Sequence, residues 1–176
     1  MRRLRGTSVV PDLVIVDAGS EHIADIARIY AHAVATSSAT FEEDVPDEAE
    51  MRSRFDAIRA QGFPYLVALC DATVVGYAYA SLYRTRSAYR FTCEDSVYVD
   101  TAIRRAGIGR ALLDALVQRA AQCGFRQMIA AIGDSDNAAS VALHRAAGFE
   151  AVGTFRKVGF KFERWLDVVL MQRALP

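Results

Sequence analysis

Arginines and glycines crowd one stretch of this chain. In RRAGIGRALLDALV, residues 104–117, Gly107 and Gly109 stand one residue apart just where an amphipathic helix begins. A helix start ordinarily carries a Ser, Thr, Asp or Asn cap, and a basic turn stands here instead. Each helix start leaves about four amide hydrogens without partners and carries roughly half a positive charge. Glycines let the oxygens of an anion approach those amides, and Arg104, Arg105 and Arg110 add charge around them. A diphosphate suits such a turn. Two adenine-nucleotide patterns fail on spacing. There is no Gly-x4-Gly-Lys-Ser/Thr run, and Leu112 holds the place of the third glycine of a dinucleotide fingerprint. The competing reading is a turn that only reverses the chain.

The elements around this turn can be read from periodicity. Residues 13–19 predict a strand, after which Ser20 caps a helix to about Val34 with Ile23, Ile26, Ala27 and Tyr30 at helical spacing. Asp47 opens a second helix with Met51, Phe55 and Ile58 on one face, closed by Gly62 and Pro64. Residues 65–83 read as two strands joined at Asp71 and Ala72, with Val75, Tyr77 and Tyr79 pointing one way. Another strand follows over 91–99, then the glycine turn and a helix with Leu113, Leu116, Val117 and Ala120 inward, stopped by Gly124. A buried strand over 126–132, a short helix over 138–147 stopped by Gly148, and two strands near 149–158 and 164–175 complete the chain. Mixed strands and helices with a strand–turn–helix–strand–helix centre predict an α/β or α+β domain built on one sheet.

Two separated stretches carry a resemblance. SVYVDTAIRRAGIGRALL resembles the acetyl-CoA signature of the GNAT N-acetyltransferase superfamily, with Arg104, Gly107 and Gly109 in its Gln/Arg-x-x-Gly-x-Gly/Ala positions. Downstream, Asn137, Ser140, Leu143, His144 and Gly148-Phe149 keep the superfamily's spacing. CEDSVYV, AAIGDSDNAASVALHRAAGF and VGFKFERWLDVVLMQ are similar to the phosphinothricin and methionine sulfoximine/sulfone N-acetyltransferases. The resemblance implies the GNAT fold: a central, mostly antiparallel twisted sheet flanked by helices, with two parallel strands splayed at the cofactor cleft. It covers residues 12–176 as one domain, with 1–11 an N-terminal extension.

The resemblance also implies site residues. Val97, Tyr98 and Val99 would offer a strand edge to the pantetheine arm of acetyl-CoA, and one of their amides would polarise the thioester carbonyl. The amides of Arg105, Ala106, Gly107, Ile108, Gly109 and Arg110 would hold the pyrophosphate. Asn137 would meet the arm from across the cleft, beside Ser140, and is equally placed to cap a helix. The reaction would be direct attack by an amine. An α-amino group near pKa 8 is only about a tenth neutral at pH 7, so a base helps. Glu94 matches the family's base; otherwise it is an exposed strand-edge glutamate. His144 stands where many of these enzymes place a tyrosine near the departing sulfur; otherwise it is a histidine packed on a helix face. Asp95 reads as a strand-edge charge, and Cys93 lacks the base and orienter of a covalent scheme.

The basic segment YRTRSAYR precedes Glu94, where the family builds its acceptor pocket. Arg84 and Arg90 would bind the carboxylate or phosphinate of an amino-acid-like acceptor, with Tyr89 as an aromatic wall and Phe41 as a further pocket residue. A solvated basic loop is the alternative, and Trp165 reads as core. The implied activity is acetyl transfer from acetyl-CoA to the α-amine of a phosphinothricin-like or methionine-derived acceptor. Another amine (antibiotic, polyamine or protein N-terminus) or a non-catalytic acyl-CoA-binding module are the alternatives.

Composition sets the outer bounds. The chain has 176 residues, 52% hydrophobic and 24% charged, a globular composition. Acidic and basic residues balance at 21 each, which argues against a nucleic-acid or membrane partner. No apolar run approaches the roughly 20 residues of a membrane span. The basic start MRRLRGTSVVPDL is too interrupted for a signal peptide. Cys70, Cys93 and Cys123 match no zinc spacing and read as reduced, mostly buried thiols; no metal is expected, and the location expected is cytoplasmic. Relatives imply a homodimer, with the apolar strand over 167–175 as a contact.

Overall fold

The computed structural model describes residues 13–103 and 107–176. Arg104, Arg105, Ala106 and the expected N-terminal extension lie outside the described residues.

β1 (Leu13–Asp17), β2 (Tyr65–Cys70) and β3 (Thr73–Leu82) form an antiparallel set. β2 and β3 turn through Asp71 and Ala72, both at positive φ (49° and 64°), as a tight two-residue hairpin requires. Their register slips once. Ala68 faces Gly76 while Leu69 faces Val74, so Val75 is an extra residue. This bulge corrects the face expected for Val75: it packs with Ala78 and Ala80, whereas Tyr77 packs with Val74 in a second core.

α1 (Ile23–Thr36) is preceded by one 3-10 turn over Ser20–His22, so Ser20 begins that turn rather than capping the helix. The Gly19 N–H donates to His22 Nδ1 at 2.9 Å. Asp47 caps α2 (Glu48–Ala60) as expected, its carboxylate accepting from the Glu50 N–H at 2.8 Å. β4 (Thr92–Val99) starts one residue later than expected, with Phe91 exposed. α3 (Ile108–Gln122), β5 (Gln127–Gly133), α4 (Ala138–Ala146), β6 (Glu150–Lys161) and β7 (Arg164–Ala174) follow.

The seven strands make one sheet in the order β1-β2-β3-β4-β5-β7-β6, antiparallel throughout except for β4 beside β5. One face carries α3, whose Leu112, Leu113, Leu116, Val117 and Ala120 are buried against Ala78, Cys93 and Met128. Burying each of those leucines contributes on the order of 2 kcal/mol. The other face carries α1 and α2 over a ladder of stacked tyrosines, Tyr65, Tyr77, Tyr79 and Tyr98. The mostly antiparallel sheet flanked by helices is as the sequence implied.

Two side chains differ from expectation. Trp165 is 60% exposed and not core, because it stands near the end of the β6–β7 hairpin with no helix over it. Cys123, at the end of α3, is exposed, whereas Cys70 and Cys93 are buried. β7 is hydrogen-bonded on both sides, to β5 and β6, and β6 is the edge of the sheet. Among the described residues no helix is long and apolar enough to cross a membrane.

Candidate active site

The parallel pair holds together for only three positions: Thr92, Cys93 and Glu94 face Gln127, Met128 and Ile129. Beyond them β4 continues on β3 alone to Val99, and β5 continues on β7 alone to Gly133. The strands part, and a cleft of about 270 Å³ opens between them. Backbone groups along the parted edges have no strand neighbour, and such groups seek a partner. Val97 and Tyr98 line the cleft, and Val99 ends the same edge. An extended ligand bearing amides would fit there as an added strand.

Glycine packing sets the mouth of the cleft. A Cβ on Gly76 would lie 2.9 Å from the Tyr98 carbonyl and 3.1 Å from Leu112, so its absence lets the start of α3 settle on β3 and β4. Gly107 is the residue before α3, at φ +101°, with no side-chain cap on the helix. Ile108, the first helical residue, is buried in the core and anchors that turn. Gly109 has a different reason: a Cβ there would come to 3.3 Å from Leu143 of α4. Arg110 is paired with Asp114 at 2.6 Å, so part of the charge expected at the turn is engaged along the helix.

α4 borders the opposite wall. The Asn137 carboxamide caps it, accepting from the Ser140 N–H at 3.2 Å, and both residues line the cleft. His144, one turn on, is 4% exposed. Its Nε2 lies 3.0 Å from Asp95 Oδ2 and its Nδ1 2.8 Å from the Ser140 carbonyl oxygen. Both partners accept, so the ring donates from both nitrogens when it is an imidazolium. Burial alone would lower its pKa. The hydrogen bond and charge of Asp95, helped by the Ser140 carbonyl, outweigh burial and raise it above the usual value.

Asp95 corrects the sequence reading. It is buried, not an edge charge, because alternation along β4 turns it to the same face as Cys93, toward α4. That alternation was visible in CEDSVYV and is the signal that could have found it. Glu94, one residue earlier, faces the side of α1 and α2 and also lines the cleft. Burial first, then the negative charge of Asp95, push its pKa up, while Arg84 pulls it down.

Phe41 lines the cleft near its outer end, its ring seated against Gly133 and Gly159. The loop that carries it is clamped by residues the sequence reading missed. The buried Lys161 ammonium donates to the carbonyls of Ser37 (3.0 Å) and Thr40 (2.8 Å). Asp134 accepts from Ser38 Oγ at 3.3 Å and pairs with Arg164. No local pattern announces these contacts, which span more than 120 residues in the case of Lys161.

The basic segment stays apart. Arg84 and Tyr89 border a separate shallow depression with Thr85 and Arg86. Arg90 donates to the Ser87 carbonyl at 3.1 Å and lies over the Phe91 ring. The structure therefore brings Glu94, His144, Asn137, Ser140, Val97 and Tyr98 together with Phe41, but not Arg84, Tyr89 and Arg90. Of the latter, Arg84 reaches the cleft by its field on Glu94. Among the described residues no cluster of His, Cys, Asp and Glu has the makings of a metal site.

A splayed parallel pair, a glycine-led helix start and a buried acid–base pair define a cleft that can hold an extended, amide-bearing arm with an anionic end and move protons beside it. Residues 15–170 match the acetyltransferase (GNAT) domain family. The chain is 53% identical over 150 residues to a phosphinothricin N-acetyltransferase of Alcaligenes faecalis, covering 85% of this chain and 76% of that one. It is 45% identical over 163 residues to an L-methionine sulfoximine/L-methionine sulfone acetyltransferase of Pseudomonas paraeruginosa, covering 92% and 94%. It superposes with a TM-score of 0.89 on a GNAT superfamily phosphinothricin acetyltransferase of Sinorhizobium meliloti in complex with AcCoA. That pair is 49% identical, and the match covers 93% of this chain and 88% of the other. The chain belongs to the GNAT acetyltransferase family.

Proposed function

We propose that this protein transfers the acetyl group of acetyl-CoA to the α-amine of a small amino-acid-like acceptor, of the phosphinothricin or methionine sulfoximine/sulfone type, and so serves in detoxification. The observation that carries this reading is the cleft where β4 and β5 part, with Glu94 and His144 on its two sides. Acetyl-CoA supplies an activated acetyl thioester. Val97, Tyr98 and Val99 offer it a strand edge, the amides from Gly107 to Arg110 face its diphosphate, and Asn137 and Ser140 close on the arm from α4. A backbone amide aimed at the thioester oxygen contributes on the order of 3 kcal/mol to such a reaction.

Glu94 takes the proton of the acceptor amine, directly or through one water. Its raised pKa makes it a better base than a solvated glutamate. His144 stands on the opposite side of β4, where the sulfur departs. Phe41 and the loop it belongs to border the acceptor end, and Arg84, with Tyr89 and Arg90 beyond it, attracts the acceptor's anionic groups. The protein works as a cytoplasmic homodimer: edge strand β6 exposes the apolar side chains of Val152, Phe155, Val158 and Phe160, which suit contact with a second copy. An amine panel scored by free-thiol release tests the reading. Release with amino-acid analogues supports it. Calorimetric binding of acetyl-CoA without release for any amine would reduce the protein to a binding module.

A further inference from the structure

The Asp95–His144 pair is unlike the other ion pairs among the described residues, because both its side chains are almost wholly buried, at 2% and 5% exposure. A buried pair carries a desolvation cost that surface pairs avoid. One atom of it is incomplete. Asp95 Oδ1 is buried and has no hydrogen-bond partner, while Asp95 and His144 both line the cleft. The ring is fixed at its far side by Ser140 and braced edge-on by Phe149, with centroids 5.1 Å apart.

Building on the acetyl-transfer reading, we propose that Asp95 positions the acid of the reaction: it holds His144 as an imidazolium facing the departing sulfur. As the C–S bond breaks, its electron pair goes to sulfur, and the Nε2 proton of His144 leaves its hydrogen bond to Asp95 Oδ2 and passes to the sulfur. The ring is left neutral, with its Nδ1 hydrogen still on the Ser140 carbonyl. Asp95 remains a carboxylate throughout, and its free Oδ1 is placed to accept from the new S–H. Solvent then returns a proton to Nε2. The proton of the amine leaves separately through Glu94, on the other face of β4. Acid and base are thus kept apart by the strand itself, and neutralisation of one by the other is prevented.

The groups that face the pair are few. On β4 they are the Cys93 thiol, pushed up to about 12 by burial and so neutral, and Glu94 on the reverse face. α4 adds the exposed Arg145, β7 adds Arg173, which donates to the Ala147 carbonyl, and β5 carries no titratable side chain. Asp95 is the carboxylate in contact with the ring.

The test is Asp95→Asn, which keeps the shape and removes the charge. His144 is one of only three histidines, so its ring can be titrated by NMR in the free protein. The expected result is a His144 pKa above 6.5 in the wild type and below it in D95N. The basic limb of kcat should move with the ring's pKa, giving about a tenfold loss at pH 7.5 for each pH unit that the limb moves. The KM for acetyl-CoA should stay within about twofold. An unmoved His144 titration, or a moved titration with an unmoved kcat profile, overturns the inference. If D95N does not fold, the wild type decides: the basic limb of kcat must coincide with the NMR titration of His144. A wild-type protein that binds acetyl-CoA yet releases no thiol with any amine overturns the acetyl-transfer reading itself; active wild type with matching D95N profiles overturns this inference alone.

Discussion

The Phe41 ring occupies the space that a side chain at Gly159 would need: a Cβ built there overlaps the ring. The two residues lie far apart in the chain, and the overlap explains how a loop aromatic becomes a wall of the cleft. Because Phe41 is 39% exposed, it can swing away. Gly159→Ala should therefore leave stability nearly unchanged and raise the acceptor KM on the order of tenfold. Gly133→Ala meets the Ser38 backbone carbonyl, which cannot swing, as well as the Phe41 ring, and should cost about 1–3 kcal/mol in denaturant unfolding. Equal effects in the two variants would refute this distinction.

Glu94→Gln should lower kcat/KM by about 100-fold and also stabilise the fold. The sign follows from its raised pKa. The native state holds this proton more tightly than the unfolded chain, so stability falls as pH rises from about 4.5 through the native value. Above that value the whole penalty remains. The variant should be the more stable protein at pH 7 and lose its advantage below about pH 4.5, read by thermal melts across pH.

Gly107 and Gly109 should answer differently to substitution. Gly107→Ala forces a side chain into φ +101°, a strain of about 1–3 kcal/mol at the start of α3, and should raise the KM for acetyl-CoA. Gly109→Ala meets the flexible end of Leu143 at 3.3 Å and Val99 at an ordinary contact distance of 3.6 Å and should be mild, whereas Gly109→Val should push α4 and His144 away and lower kcat. Initial-rate kinetics with varied acetyl-CoA separate the two.

Arg84→Ala and Arg90→Ala distinguish the roles of the basic segment. Arg84 lowers the Glu94 pKa, so its removal should move the acidic limb of kcat/KM to higher pH as well as raise the acceptor KM. Arg90 is bonded within its own turn and should alter the acceptor KM alone. A pH profile that moves in neither variant would leave Arg84 without its electrostatic role.

Phe155→Lys or Val158→Lys on edge strand β6 should convert a dimer to a monomer in sedimentation experiments. Both side chains are more than half exposed in the single chain, so the monomer should stay folded.

Much of this molecule was legible from local signals. Asp47 as a cap, the Asp71-Ala72 hairpin and the glycine stops at 124 and 148 each depend on neighbouring residues, and each stands where expected. The bulge at Val75 was not legible, because an extra residue on one strand is defined only by the strand beside it. Trp165 misled because a large apolar residue is expected inside, and only the absence of a helix above its hairpin leaves it out.

The candidate site divides along the same line. The glycine turn before α3, the alternation of Glu94 and Asp95 to opposite faces, and the family's motif residues are all written locally, since they follow from dihedral preference, strand pleat and spacing. Folding alone dictates that β4 and β5 part after Glu94, that His144 meets Asp95, and that Lys161 holds the loop of Phe41. Each of those is a meeting of segments far apart in the chain. Such meetings are selected by how whole faces pack and by which buried polar groups find partners, and no short stretch of residues carries that information.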